Sequence, residues 1–177
     1  MKKLAFLAML GLGGCTVPQP DATTPRTVAA VDLARYAGTW HEAARFPQRF
    51  QDSASLRCES VTATYTPRAD GRLDVLNACA NALAEGRPQR EAKGVAYAVE
   101  GSNNARLRVS FFGPFYGDYW VIGLDPDYRW AVVGAPDRDA LWILSRTPVM
   151  AEADFQAALA VARREGFDLS RLQRTPS

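Results

Sequence analysis

The sequence predicts an all-β domain followed by one α-helix, and two observations lead there. Between Thr39 and Arg146, eight short strand-like runs are separated by turn residues; a single amphipathic run then extends from about Met150 to Glu165. The strands are expected at roughly 39–45, 58–66, 72–79, 92–99, 105–112, 118–124, 129–135 and 140–146. Eight strands at this spacing fit a closed up-and-down barrel or a sandwich.

In chain order, Gly38 permits a tight bend, and Trp40 opens a run in which Trp40, Glu42 and Ala44 are expected to share one face. A strand-opening Trp is by itself an ordinary core residue. Val61–Tyr65 and Leu73–Leu76 flank the turn chemistry of Pro67-Arg-Ala-Asp-Gly71. Alternation is plain in Leu107-Arg-Val-Ser-Phe111, while Gly86, Gly101, Asn103-Asn104 and Asp125-Pro126 mark boundaries. The helix places Phe155, Ala158, Leu159 and Ala162 on one stripe, with Gly166 as its stop.

Ahead of these elements, Lys2 and Lys3 precede the apolar run Leu4–Leu12, which is too short to span a bilayer. Leu12-Gly13-Gly14-Cys15 follows and resembles a bacterial lipobox, so residues 1–14 read as a lipoprotein signal peptide. The resemblance implies a diacylglycerol thioether on Cys15 and a palmitate-type acyl chain on its new N-terminus. Several acyl chains, at about 0.8 kcal/mol per buried methylene, hold a protein on a membrane almost permanently. Thr16, where lipoproteins retained at the inner membrane often carry Asp, implies transfer to the outer membrane, facing the periplasm. Residues 15–30, with Pro18, Pro20 and Pro25, read as a lipidated tether, and 31–177 as the folded domain.

The chain carries 21 basic and 19 acidic residues. Loss of Lys2 and Lys3 brings the mature chain to formal neutrality, and no basic stripe is present, which argues against nucleic-acid binding. With Cys15 lipidated, Cys58 and Cys79 remain as a pair in an oxidising compartment. If the hairpin turn centres near Arg68–Ala69, Cys58 and Cys79 lie opposite each other, so a cross-strand disulfide is expected; two buried free thiols are the alternative.

Gly38-Thr-Trp40, Arg106–Tyr119, Leu124-Asp-Pro-Asp-Tyr128 and Leu141–Pro148 together resemble the lipocalin family. They are most similar to its bacterial outer-membrane lipoproteins and apolipoprotein D-like members, over about residues 32–172. The resemblance implies an eight-stranded antiparallel up-and-down barrel with one C-terminal α-helix packed outside. It also implies that Arg146 stacks on Trp40 at the closed end and that Asp125 stands in the second signature, where Leu-Asp-Pro replaces the usual Thr-Asp-Tyr. Gly38, Trp40, Asp125 and Arg146 are then structural.

The relatives' function implies a fatty acid or lysophospholipid in the barrel. Tyr65, Asn77, Phe111, Tyr119 and Trp142 match cavity-lining positions; each is otherwise an ordinary core residue. Tyr65 and Asn77 face inward together only in a register one residue away from direct Cys58–Cys79 opposition, so a bulge or an offset disulfide is expected. Phe112–Gly117 is expected at the mouth, as a cavity gate, a membrane contact or simply a packed loop.

No enzyme is expected. The one histidine, His41, does not share a strand face with Glu42, and the sequence shows no nucleophile elbow, phosphate loop, metal-ligand cluster or cofactor motif. A lipocalin-fold enzyme and a structural envelope protein with a filled barrel are the alternatives to a lipid carrier. Homodimerisation, known among related bacterial proteins, is a further expectation.

Overall fold

The computed structural model describes residues 24–176; the signal peptide, Cys15 and the tether up to residue 23 lie outside the described residues. The strands are β1 (Gly38–Arg45), β2 (Asp52–Ser53), β3 (Leu56–Pro67), β4 (Leu73–Asn81), β5 (Gln89–Ala98), β6 (Arg106–Phe112), β7 (Phe115–Leu124), β8 (Trp130–Gly134), β9 (Leu141–Ser145) and β10 (Gln173–Arg174). A one-turn helix α1 (Leu33–Tyr36) precedes β1, and α2 (Glu152–Arg164) follows β9. All neighbouring strands run antiparallel, and β1 pairs with both β9 and β3, which closes the sheet into a barrel. Eight strands form its wall, as the sequence predicts; the two-residue strands β2 and β10 are additions at its edge.

Alternation along the strands divides the apolar residues into two cores. Trp40, Tyr65, Leu73, Val75, Ala96, Leu107, Val121, Ala131, Val133 and Leu144 form the inner cluster. Ile122, Trp130, Val132 and Ile143 belong to the outer one, covered by Phe155, Ala158, Leu159 and Ala162 of α2, the stripe expected from the sequence. The helix ends in a Schellman arrangement: Phe167 N–H donates to Ala162 O, Gly166 N–H donates to Arg163 O, and Gly166 adopts φ +83°.

Two expectations of register are corrected. Cys58 faces Asn81 rather than Cys79, because Pro67 pairs with Leu73 and the turn centres on Asp70 instead of Arg68–Ala69. The disulfide nevertheless forms, between offset neighbours with Cα atoms 5.3 Å apart. From Pro67 to Thr62 the turn register holds, so that Tyr65 faces Val75 and Ala63 faces Asn77; a bulge between Glu59 and Thr62, with Ser60 at φ +49°, then shifts it by one residue, and Glu59 faces Ala80. A second bulge in β1, between Glu42 and Ala44, breaks the face expected for Trp40, Glu42 and Ala44: Ala44 joins the outer core, and Arg45 comes to face Trp142 on the inner side.

Packing against the barrel begins at Pro25, which is buried. Val28 N–H donates to Val121 O, Val31 N–H donates to Asn103 O, and Arg26 N–H donates to the Glu165 carboxylate.

Candidate functional site

The barrel end where β1 begins is shut by α1. Asp32 caps this helix by accepting from the N–H groups of Ala34 and Arg35, and Tyr36 projects into the inner cluster, fully buried. A one-turn helix leaves its last carbonyls without intrahelical partners. Arg146 supplies them, donating to Arg35 O at 2.6 Å and Tyr36 O at 3.2 Å, and also to Thr39 O at 3.0 Å. Its guanidinium carbon lies 3.8 Å from the Trp40 ring centroid, while Trp40 Nε1–H donates to Tyr36 O at 2.8 Å. Gly38, at φ +90°, leaves room here: a Cβ would lie 3.5 Å from Arg146 Nη1.

Asp125 organises the adjacent β7–β8 turn despite the Leu-Asp-Pro departure. It accepts from the N–H groups of Asp127 and Arg129 and from the Arg129 guanidinium. Burial opposes its ionisation, yet these bonds hold its carboxyl below the usual aspartate range.

Above this floor the interior holds the candidate ligand residues. Tyr65 O–H donates to Tyr119 Oη at 2.9 Å, and the Tyr36 and Tyr119 hydroxyls are 2.7 Å apart. Burial pushes Tyr65 up to about 12 and Tyr36 and Tyr119 well above the ordinary tyrosine value. All three stay protonated at neutral pH. Asn77 shares the inner face with Tyr65 one diagonal step away, and its Oδ1 is buried without a hydrogen-bond partner. Phe111 packs against the inner cluster, as does Trp142, whose Nε1–H donates to Gln51 Oε1 at 3.2 Å.

Exposure along the inner wall changes with height. Trp40, Leu73, Val75, Leu107, Val121 and Leu144 are all below 5% exposed. Asn77, Val109, Phe111, Tyr119 and Trp142 are part-exposed, and Ala92 and Gly117, which pair with Asn77 and Val109, are exposed.

At the open end the β1–β3 connection, residues 46–55, folds over the rim on a polar latch that sequence reading missed. Arg45 donates to Glu42 at 2.6 Å, to both oxygens of Asp52 at 2.6 and 2.8 Å, and to Cys58 O at 3.1 Å. Gln51, itself buried, bridges Glu42 and Trp142. Burial alone would lower the Arg45 pKa and raise that of Asp52, but their mutual hydrogen bonds reverse both directions. No spacing in the sequence announces this cluster, because the β1 bulge is what turns Arg45 inward.

Phe112 and Phe115 pair across the β6–β7 hairpin at this same end and are 82% and 79% exposed. Tyr116 lies edge-on to Tyr97, at 5.2 Å between centroids. His41 faces Thr62 and Ser145 on neighbouring strands and is half-buried.

Residues 31–177 match the model of the lipocalin-like domain. The chain is 49% identical over 178 residues to Outer membrane lipoprotein Blc of Escherichia coli K12, covering 97% of this chain and 95% of the relative. It is 39% identical to Temperature-induced lipocalin-1 of Arabidopsis thaliana, over 84% of this chain and 81% of that one. Among solved structures, insecticyanin from Manduca sexta superposes with a TM-score of 0.67 at 20% identity, covering 89% of this chain and 85% of its own. Lobster apocrustacyanin A1 does so at 0.65 and 15% identity, covering 89% and 92%. The chain therefore belongs to the lipocalin-like family.

Proposed function

We propose that this protein is an outer-membrane lipoprotein, anchored through Cys15, whose barrel binds one single-chain lipid noncovalently without transforming it. The observation that carries the reading is the exposure gradient: the inner wall is closed below, and in its upper half Asn77 and Tyr119 are part-exposed while Ala92 and Gly117 are exposed. An acyl chain of twelve buried methylenes supplies roughly 10 kcal/mol before ordering costs, which is ample for tight binding. The anchoring part of the reading draws on the lipobox at Leu12–Cys15 and on the name of the bacterial relatives.

Native mass spectrometry of residues 16–177, titrated with a fatty acid and a lysophospholipid, tests the binding. A one-to-one adduct that either lipid displaces is the expected outcome. A clean ligand-free mass with no saturable uptake of either lipid rejects it.

A further inference from the structure

The first described residues run along the outside of the barrel, and their direction orients the molecule on its anchor, on the reading that Cys15 is acylated. Val31 N–H donates to Asn103 O in the β5–β6 connection, which lies at the closed end. Val28 N–H donates to Val121 O on the wall. Arg26 N–H donates at 2.9 Å to the Glu165 carboxylate, and Glu165 O accepts at 2.8 Å from Arg138 of the β8–β9 connection. That connection belongs to the open end, where Asp139 O also accepts from Gln48 of the β1–β3 connection. Toward the N-terminus, residues 31 to 26 therefore climb from floor to mouth. Packing against the barrel stops at Pro25, and the ten residue steps from there back to Cys15 reach about 35 Å at most.

The same end carries the exposed apolar side chains. Among the described residues, six large hydrophobic side chains stand exposed, and four of them are Phe50, Leu83, Phe112 and Phe115. They come from three successive open-end connections: β1–β3, β4–β5 and the β6–β7 hairpin. The closed-end turns Arg68-Ala-Asp-Gly-Arg72 and Asp125-Pro-Asp-Tyr-Arg129 are rich in charge instead. One apolar side chain in water is ordinary, but four at one rim mark a contact with an apolar partner. Charge on the open-end connections is mixed, with Arg49, Arg87 and Arg138 set against Asp52, Glu85, Asp137 and Asp139. Apolar burial, not attraction to anionic lipid, is then the driving force.

We infer that the open rim docks on the bilayer that holds the anchor, with Phe50, Leu83, Phe112 and Phe115 seated among the lipid headgroups and the mouth facing the membrane. A tether of this reach that starts at the mouth keeps the rim close to the surface, so the four side chains meet lipid at high effective concentration and need little affinity of their own. The contact depends on the anchoring half of the proposed function and is independent of what the barrel binds.

The test uses the full acylated chain in phosphatidylcholine vesicles whose acyl chains carry nitroxide quenchers. A nitrobenzoxadiazole label is attached at Gly113→Cys on the rim or at Val149→Cys at the closed end. A Cβ at Gly113 meets nothing within 4 Å, and Val149 is 77% exposed, so both positions accept the label without repacking. Intact mass and flotation with the vesicles report the anchor separately. The rim label should be quenched several-fold and the closed-end label hardly at all, in low and high salt alike. Phe112→Ser combined with Phe115→Ser should restore most of the rim emission while the chain still floats.

Equal quenching of the two labels overturns the docking, as does a rim label that stays quenched in the double-serine variant, because the tether alone then sets the distance. Quenching that requires anionic lipid also overturns it. So does a rim label shielded from water without lipid contact, which assigns the patch to a second copy of the chain. A chain that bears no acyl group and does not float rejects the anchor and the docking together.

Discussion

The two ends of this barrel are built from the same residue classes and do opposite things. Each holds an inward tryptophan and an arginine that joins separate chain segments. At the closed end Trp40 is fully buried, and Arg146 spends its donors on the carbonyls of Arg35, Tyr36 and Thr39. At the open end Trp142 is part-exposed, and Arg45 spends its donors chiefly on the carboxylates of Glu42 and Asp52. Carbonyls belong to the fold and cannot change charge or leave without unfolding it. Carboxylates titrate, and Asp52 sits on the β1–β3 connection at the rim. The first arrangement makes a floor and the second a latch.

The sharpest way to break this comparison is to remove both tryptophans in turn. Trp40→Ala should cost about 3–5 kcal/mol in urea denaturation, since it empties a site enclosed on every side and strips the stacking surface from Arg146. Trp142→Ala should cost only about 1–2 kcal/mol, because water already reaches its site, and it should alter lipid affinity instead. Equal losses would mean that the upper interior is as tightly packed as the floor.

The closed end is also the more legible end. Gly38, Trp40 and Arg146 stand in recognisable signature segments, and the α2 stripe follows from helical periodicity, so the residue order alone indicates their places. The five candidate lining residues follow from the same family resemblance. The latch does not, for a physical reason: strand periodicity is two, and a single inserted residue reverses which side chains face inward. The bulge at Ala43 exchanges Ala44 for Arg45, and the one at Ser60–Val61 moves the partner of Cys58 by one residue, to Asn81, while the turn centre at Asp70 keeps Cys58 out of direct opposition with Cys79. Neither bulge is marked by glycine or by a break in the apolar pattern. Tyr36 is equally hidden, because a one-turn helix has no periodicity to display.

A smaller effect separates the two ends by pH. The folded-state pKa of Asp52 is lowered from the ordinary 3.8, so its pairing contributes stability above that value and loses it as pH falls through the folded one. Asp125 at the closed end behaves in the same direction. Acid should therefore weaken both ends as pH falls below about 3.8, but only loss of the Asp52 pairing should free the 46–55 connection. In thermal melts Asp52→Asn should begin less stable than the unmodified protein at neutral pH and converge with it in acid, with bound lipid leaving faster than from Asp125→Asn. Indistinguishable release rates from the two variants would show that the latch does not control the mouth.

The smallest effect on stability, and the most informative about the rim, is expected at Phe112 and Phe115. Both rings stand almost wholly in solvent on a two-residue turn, and neither belongs to a buried cluster. Changing both to Ser should therefore shift unfolding by no more than about 0.5 kcal/mol, the ordinary range for a surface site. Tyr116 is unsuited to the same test, because it is paired with Tyr97 and its carbonyl accepts from Arg108 at 2.9 Å. If the phenylalanines help lipid pass between a bilayer and the barrel, uptake from vesicles should slow several-fold while affinity for lipid added in solution stays constant. If uptake is unchanged, the hairpin is a passive rim.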